Sequence, residues 1–172
     1  MCLQCRDRLR PAPDRVLAGG VRLIPGFDHI GPAKTLVHHL KYRGITSYAD
    51  LVAEVLAPRT PLLPLVPVPR ALTRRVKYGI DPGRILAAKL SALTGAPVAP
   101  LLGAPLHSRR RAGGDHRRPV APFRVHGPMP PAVVLVDDVV TTGATLEAAI
   151  EALGPNRVRV AIAANAVAGG RR

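Results

Sequence analysis

The chain has 172 residues, enough for one domain with a small appendage and a real core. Its 47% hydrophobic content excludes global disorder, and 3% aromatics without a Trp exclude base stacking as a main binding mode. The net charge of +14, from 25 Lys and Arg against 11 Asp and Glu, suits polyanionic partners (nucleic acid, phosphorylated metabolites, anionic lipid), or reflects an Arg-rich surface with no dedicated partner.

Residues 1–20 are basic, Pro-rich and non-periodic, and read as a poorly ordered lead-in to a domain over 21–172. Cys2 and Cys5 are too few for a disulfide framework, the N-terminus lacks an apolar signal core, and no apolar run reaches the roughly 18 residues of a membrane span. The expectation is a cytoplasmic protein without a membrane partner. Cys2-Leu-Gln-Cys5 has the spacing of half a zinc site; without a second pair, zinc is not expected for this chain alone.

Ala33, Leu36, Val37 and Leu40 share one face of a helix over 33–42 that Gly44 closes. A second helix covers 47–57 through Leu51, Val52, Val55 and Leu56. Residues 62–68 form an apolar run broken by prolines, a buried strand distorted at Pro67 and Pro69. Asp81 followed by Pro82 marks the N-cap of a helix that ends at Gly95. Val98–Leu102 and Phe123–Val125 are short strand candidates.

Between them, 103–119 is long, basic and aperiodic, carrying His107, Arg109, Arg110, Arg111, His116, Arg117 and Arg118. Such a connection is functional or disordered, and its cations suit a pyrophosphate, a nucleic-acid backbone or plain solvent. Val133–Val136 is a fully apolar strand, Ala144–Leu153 a helix stopped by Gly154-Pro155, and Arg157–Ala164 a strand. Strands alternating with helices predict an α/β domain with a parallel sheet. His38 and His39 on the first helix carry no metal role.

The stretch Val133-Val-Leu-Val-Asp-Asp-Val-Val-Thr-Thr-Gly-Ala-Thr145 carries the chemistry. Two adjacent carboxylates, Asp137 and Asp138, stand at the carboxyl end of a buried strand, where open α/β sheets bind ligands. Val140, Thr141, Thr142, Gly143, Ala144 and Thr145 lead into a helix whose outward N–H groups suit a phosphate. Gly143 lets the backbone approach the anion, and the threonines add hydroxyl donors. The carboxylates suit a ribose diol, or Mg²⁺ carried by a pyrophosphate. Together these groups describe a ribose 5-phosphate site; the plainer alternative is an ordinary strand–loop–helix joint with Asp as a cap. Neither a Walker-type phosphate loop nor a dinucleotide fingerprint is present.

Val133–Thr145 resembles the phosphoribosyl-pyrophosphate (PRPP) motif of type I phosphoribosyltransferases, and the chain beyond it resembles the ComF family of competence-associated proteins. His39-Leu-Lys-Tyr-Arg-Gly44 is similar to that family's Leu-Lys-Tyr-x-Gly, Val66-Pro-Val-Pro69 to its Val-Pro-Val-Pro, and Pro122-Phe-Arg-Val125 also fits, over about residues 25–165. The resemblance implies a type I fold, a parallel sheet flanked by helices with a small hood and a flexible loop. It implies that Asp137 and Asp138 hold the ribose hydroxyls as the catalytic acids and that Val140–Thr145 hold the 5-phosphate. It places the turn Val68-Pro69-Arg70 near the pyrophosphate, with Mg²⁺ accompanying PRPP.

It also makes residues 1–20 a candidate remnant of an N-terminal zinc finger, with Cys2 and Cys5 as its surviving half. Single-stranded nucleic acid or a helicase-like partner is implied if the protein is an adaptor. The chain departs from the family where Tyr78-Gly-Ile-Asp-Pro82 replaces Arg-Gly-Phe-Asn-Gln, and where 109–118 lacks the usual Gln and Arg-x-x-Asn. The resemblance therefore leaves open whether the site transfers a phosphoribosyl group or only binds one. The acceptor and the oligomeric state, a homodimer included, are also left open.

Overall fold

The structure is a computed structural model and describes residues 3–104 and 123–167. Its centre is a five-stranded sheet built from β1 (Arg15–Val16), β2 (Arg22–Asp28), β3 (Leu65–Pro67), β6 (Val133–Val140) and β7 (Val158–Ala166), in the order β1-β2-β7-β6-β3. Of the four strand contacts in this order, three are parallel and the β1–β2 edge is antiparallel. A separate antiparallel pair joins β4 (Leu102–Gly103) to β5 (Arg124–Val125). The helices are α1 (Leu3–Asp7), α2 (Gly31–Arg43), α3 (Ser47–Leu56), α4 (Leu72–Tyr78), α5 (Pro82–Thr94) and α6 (Ala144–Leu153). This is the mixed α/β architecture that the alternation of strands and helices predicts.

The sheet is covered on both faces, which explains why its central strands read as unbroken apolar runs. Val134, Val136, Ile162 and Ala164 pack with Val37 of α2, Val52 and Leu56 of α3, and Leu86 and Leu90 of α5. Val133, Leu135, Ala161 and Ala163 face the other way, onto Leu146, Ile150 and Leu153 of α6, with Leu102, Phe123 and Leu17. The strict alternation from Val133 to Val136 slips beyond the acids, since Val139 lies with the first cluster and Val140 with the second. Among the described residues no helix is long and apolar enough to cross a membrane.

Several boundaries differ from expectation. Residues 3–20 are not a loose lead-in: α1 is followed by a strap that runs antiparallel along β2, with Pro11 bridged to Phe27 and β1 paired to Arg22 and Leu23. Prolines are tolerated there because the strap is the sheet edge, where a missing N–H breaks no inner ladder. β2 and α4 escape the periodicity reading; β2 carries a Pro and a Gly within its run, and α4 spans only seven residues. The strand expected over 62–68 shrinks to Leu65–Pro67, and of Val98–Leu102 only an isolated bridge at Val98 and the start of β4 remain.

The helix from Pro82 forms as expected, but the Asp81 carboxylate makes no capping bond. It is buried, and burial raises its pKa against the opposing N–H groups of Arg70 and Arg84 and the charges of Arg75 and Arg84. The basic connection, with His107, Arg109, Arg110 and His116, lies almost wholly outside the described residues, as does Cys2.

Candidate functional site

Because the sheet is parallel, the carboxyl ends of β2, β3, β6 and β7 open on the same edge. The expected acids come from β6, which runs four residues further than its apolar core suggests. Asp137 and Asp138 therefore stand inside the strand's last turn of pairing, with Asp137 opposite Ala163 and Val139 opposite Asn165. Pairing to β7 fixes their backbone, so the two carboxylates are held rather than carried on a loop.

The pair is electrostatically unequal. The Asp138 amide donates to Asp137 Oδ1 at 2.7 Å, and Asp138 Oδ2 takes Lys41 Nζ of α2 at 3.1 Å. Burial first, and the Asp138 charge second, push the Asp137 carboxyl well above the ordinary carboxylate range, against the pull of the Asp138 N–H and Lys41. Asp137 is thus the more basic member of the pair, and Asp138 the member supplied with a counter-ion.

Beyond Val140 the chain turns through Thr141-Thr142-Gly143 into α6. A small open pocket forms there, lined by Asp137 and by every residue from Val139 to Leu146. All the residues expected to cradle a phosphate share this one concavity with one of the two acids. Gly143 has φ +93°, a conformation that calls for glycine, and a Cβ there would also crowd Leu17 Cδ2 at 3.1 Å. The Ala144 amide reaches Thr142 Oγ1 at 3.4 Å, while the Glu147 amide donates to the Gly143 carbonyl at 2.9 Å as the helix starts.

The turn Val68-Pro69-Arg70 follows β3, the strand paired to β6. The Val68 amide donates to the Val136 carbonyl at 2.8 Å, just ahead of the acids. α5 packs so closely behind the turn that a Cβ on Gly83 would meet the Val68 carbonyl at 2.9 Å. The rings of Tyr42 and Tyr78 meet edge to face at 4.8 Å, and the Arg70 guanidinium lies against both, 5.1 and 4.9 Å from their centroids, while Nη1 donates to the Lys41 carbonyl at 2.8 Å. Arg70, Lys41 and Asp138 thereby form one chain of contacts from β3 through α2 to β6.

Three features of the site have no signal in the local sequence pattern. Lys41, noticed only within a family-like stretch, reaches Asp138. Arg15 of the N-terminal strap donates to the carbonyls of Val140 and Thr141. Asn165 of β7, fully buried, accepts from Tyr48 Oη and donates to the Ala33 carbonyl at 3.0 Å and to His29 Nδ1 at 3.2 Å. A donor aimed at Nδ1 requires that nitrogen to be bare. This agrees with the lowered His29 pKa, caused by burial and then by Lys41 and Lys34, with Asp138 opposing. Cys5 is partly buried in α1, and among the described residues no three His, Cys, Asp or Glu side chains gather as a metal site.

Residues 131–172 match the family model of the phosphoribosyl transferase domain. The match takes in the acid pair, the pocket loop, α6 and β7, 42 of the 172 residues. No curated protein matches the chain.

Proposed function

We propose that the protein binds PRPP and transfers its 5-phosphoribosyl group to an acceptor. The observation that carries this reading is the pocket in which the Thr141–Thr145 loop, at the N-terminus of a ten-residue helix, meets a carboxylate fixed in the sheet. The loop amides and threonine hydroxyls take the 5-phosphate. Asp137 and Asp138 accept hydrogen bonds from the ribose 2′- and 3′-hydroxyls, one turn away. Lys41 and Arg70, with Val68 and Pro69 at the end of β3, face the pyrophosphate. Arg109 and Arg110, outside the described residues, are further candidates for that end.

The donor set fits a metal that arrives with its ligand rather than one caged by the protein. Two carboxylates and a pyrophosphate match the sparse protein ligation that Mg²⁺ accepts. Bound there, Mg²⁺ would offset charge on the departing pyrophosphate. The chain's own part is to orient the ribose by its diol, fix the 5-phosphate, and set cations beside the leaving group as the C1–oxygen bond breaks.

The family-level refinement to ComF supports a second reading, an adaptor for single-stranded DNA or a helicase-like partner in competence. The exposed Arg74, Arg75 and Lys77 of α4 favour it. Calorimetric titration of Mg²⁺–PRPP into the wild type and an Asp137→Asn/Asp138→Asn variant separates the two. Binding that the double variant loses supports the transferase site, and pyrophosphate release with a panel of bases and amines then identifies turnover. No heat with the folded wild type, alongside salt-sensitive single-strand binding that survives loss of both acids, overturns it for the adaptor.

A further inference from the structure

We infer that the N-terminal strap is a working part of the phosphate loop, with Arg15 as the residue that positions the loop's amides; this rests on the proposed phosphate role of that loop. The strap is anchored independently of the site. Arg15 and Val16 pair with Leu23 and Arg22, and the Asp14 carboxylate takes Arg22 Nε at 2.8 Å and Arg59 Nη2 at 2.6 Å. From that fixed base the Arg15 guanidinium reaches three carbonyls: Val167 at 3.1 Å, Thr141 at 3.3 Å and Val140 at 3.4 Å. The Val140 carbonyl also accepts the Val167 amide at 2.9 Å, so Arg15 closes a junction between the end of β6, the start of the loop and the exit of β7.

The direction of these bonds matters. In a trans peptide the C=O and the following N–H point opposite ways. A cation holding the carbonyls of Val140 and Thr141 therefore turns the N–H groups of Thr141 and Thr142 to the opposite side of the loop. The same cation polarises those peptide units and strengthens them as donors. Leu17, two residues on and buried, fills the space beneath Gly143 and blocks collapse of the loop toward the strap. Arg15 touches no ligand in this scheme and acts through the backbone.

The test uses the full chain with Arg15→Gln, Arg15→Lys and Leu17→Ala. Amide exchange in the free protein and calorimetry with ribose 5-phosphate are read well below the melting temperature. For Arg15→Gln the expected result is at least a tenfold faster exchange of the Val167 and Glu147 amides, with Val134 and Leu135 unchanged, and at least a tenfold rise in Kd. Arg15→Lys restores part of both, a rescue that a purely bulk effect on folding does not give. Wild-type exchange and affinity in folded Arg15→Gln overturn the inference. If Arg15→Gln does not fold, the same amides and titration in Arg15→Lys and Leu17→Ala decide it. If the wild type takes no ribose 5-phosphate, the functional reading fails, while the exchange rates still decide whether Arg15 holds the loop.

Discussion

Lys41 Nζ lies 3.1 Å from Asp138 Oδ2, so the second helix supplies the counter-ion for an acid on the central strand. Both side chains are mostly shielded, at 23% and 17% exposure, yet not sealed from water, which keeps the pair's worth near that of a partly screened bridge. Replacing Lys41 by Met removes the counter-ion of Asp138 from beside two adjacent carboxylates. The expected cost at pH 8 is about 1 kcal/mol, measured by urea unfolding. It should shrink at pH 5, where Asp137 holds its proton and the repulsion is gone. The same change should weaken Mg²⁺–PRPP more than ribose 5-phosphate, because Lys41 faces the pyrophosphate end.

The raised pKa of Asp137 sets a second pH dependence. The folded state binds this proton more tightly than the unfolded chain does, so its effect on stability is nil below the ordinary carboxyl value of about 4. Stability then falls as pH rises from there to the elevated folded value, above which the loss stays constant. Asp137→Asn removes that slope and should melt higher than wild type at pH 8, with the gap closing toward pH 4. Asp14 acts in the opposite direction. Its partial burial is outweighed by bonds from Arg59 and Arg22, which hold its pKa down, so its contribution is lost only as pH falls below about 4. A melting-temperature series across pH 3–9 on wild type and Asp137→Asn distinguishes the two; parallel curves would contradict the assignment to Asp137.

What the sequence disclosed follows the range of the contacts involved. The β6–loop–α6 unit was legible because everything that defines it is contiguous: an apolar run, two acids, small hydroxyl residues, a glycine and an amphipathic helix. The parallel sheet was legible from the alternation of such units. Arg15 was not, because it meets Val140 across 125 positions of chain and no local period marks it. The strap around it looked loose because prolines erase strand periodicity, although an edge strand does not need those N–H groups. The extent of β6 was missed because acids rarely continue a buried strand; here the chemistry of the site overrides the apolar pattern.

Gly143 gives a sharp prediction. At φ +93° an alanine is strained, and its Cβ would also press on Leu17 Cδ2 at 3.1 Å. The strain alone costs about 1–2 kcal/mol, and relief requires the loop or the strap to shift. Gly143→Ala should therefore lower stability by that amount and raise the Kd for ribose 5-phosphate. Pairing it with Leu17→Ala opens the space but leaves φ unchanged. The double variant should thus regain a part of the stability and little of the binding, as read by thermal unfolding and calorimetry on the same samples.

Arg70 is held on three sides, by two tyrosine rings and the Lys41 carbonyl, before any ligand arrives. A planar guanidinium can stack and donate in this slot at once; an ammonium cannot. Arg70→Lys keeps the charge but loses the stacking and the directed bond, an expected loss of about 1 kcal/mol in stability. Its effect on ligands should be selective. Arg70 sits at the β3 end, beside the proposed pyrophosphate position and away from the α6 loop, so Mg²⁺–PRPP affinity should fall several-fold while ribose 5-phosphate affinity holds. Tyr78→Leu loosens the slot without touching charge and should reproduce the selectivity more weakly. Equal losses for both ligands in Arg70→Lys would mean that the residue only supports the fold, and that the pyrophosphate is met by other cations.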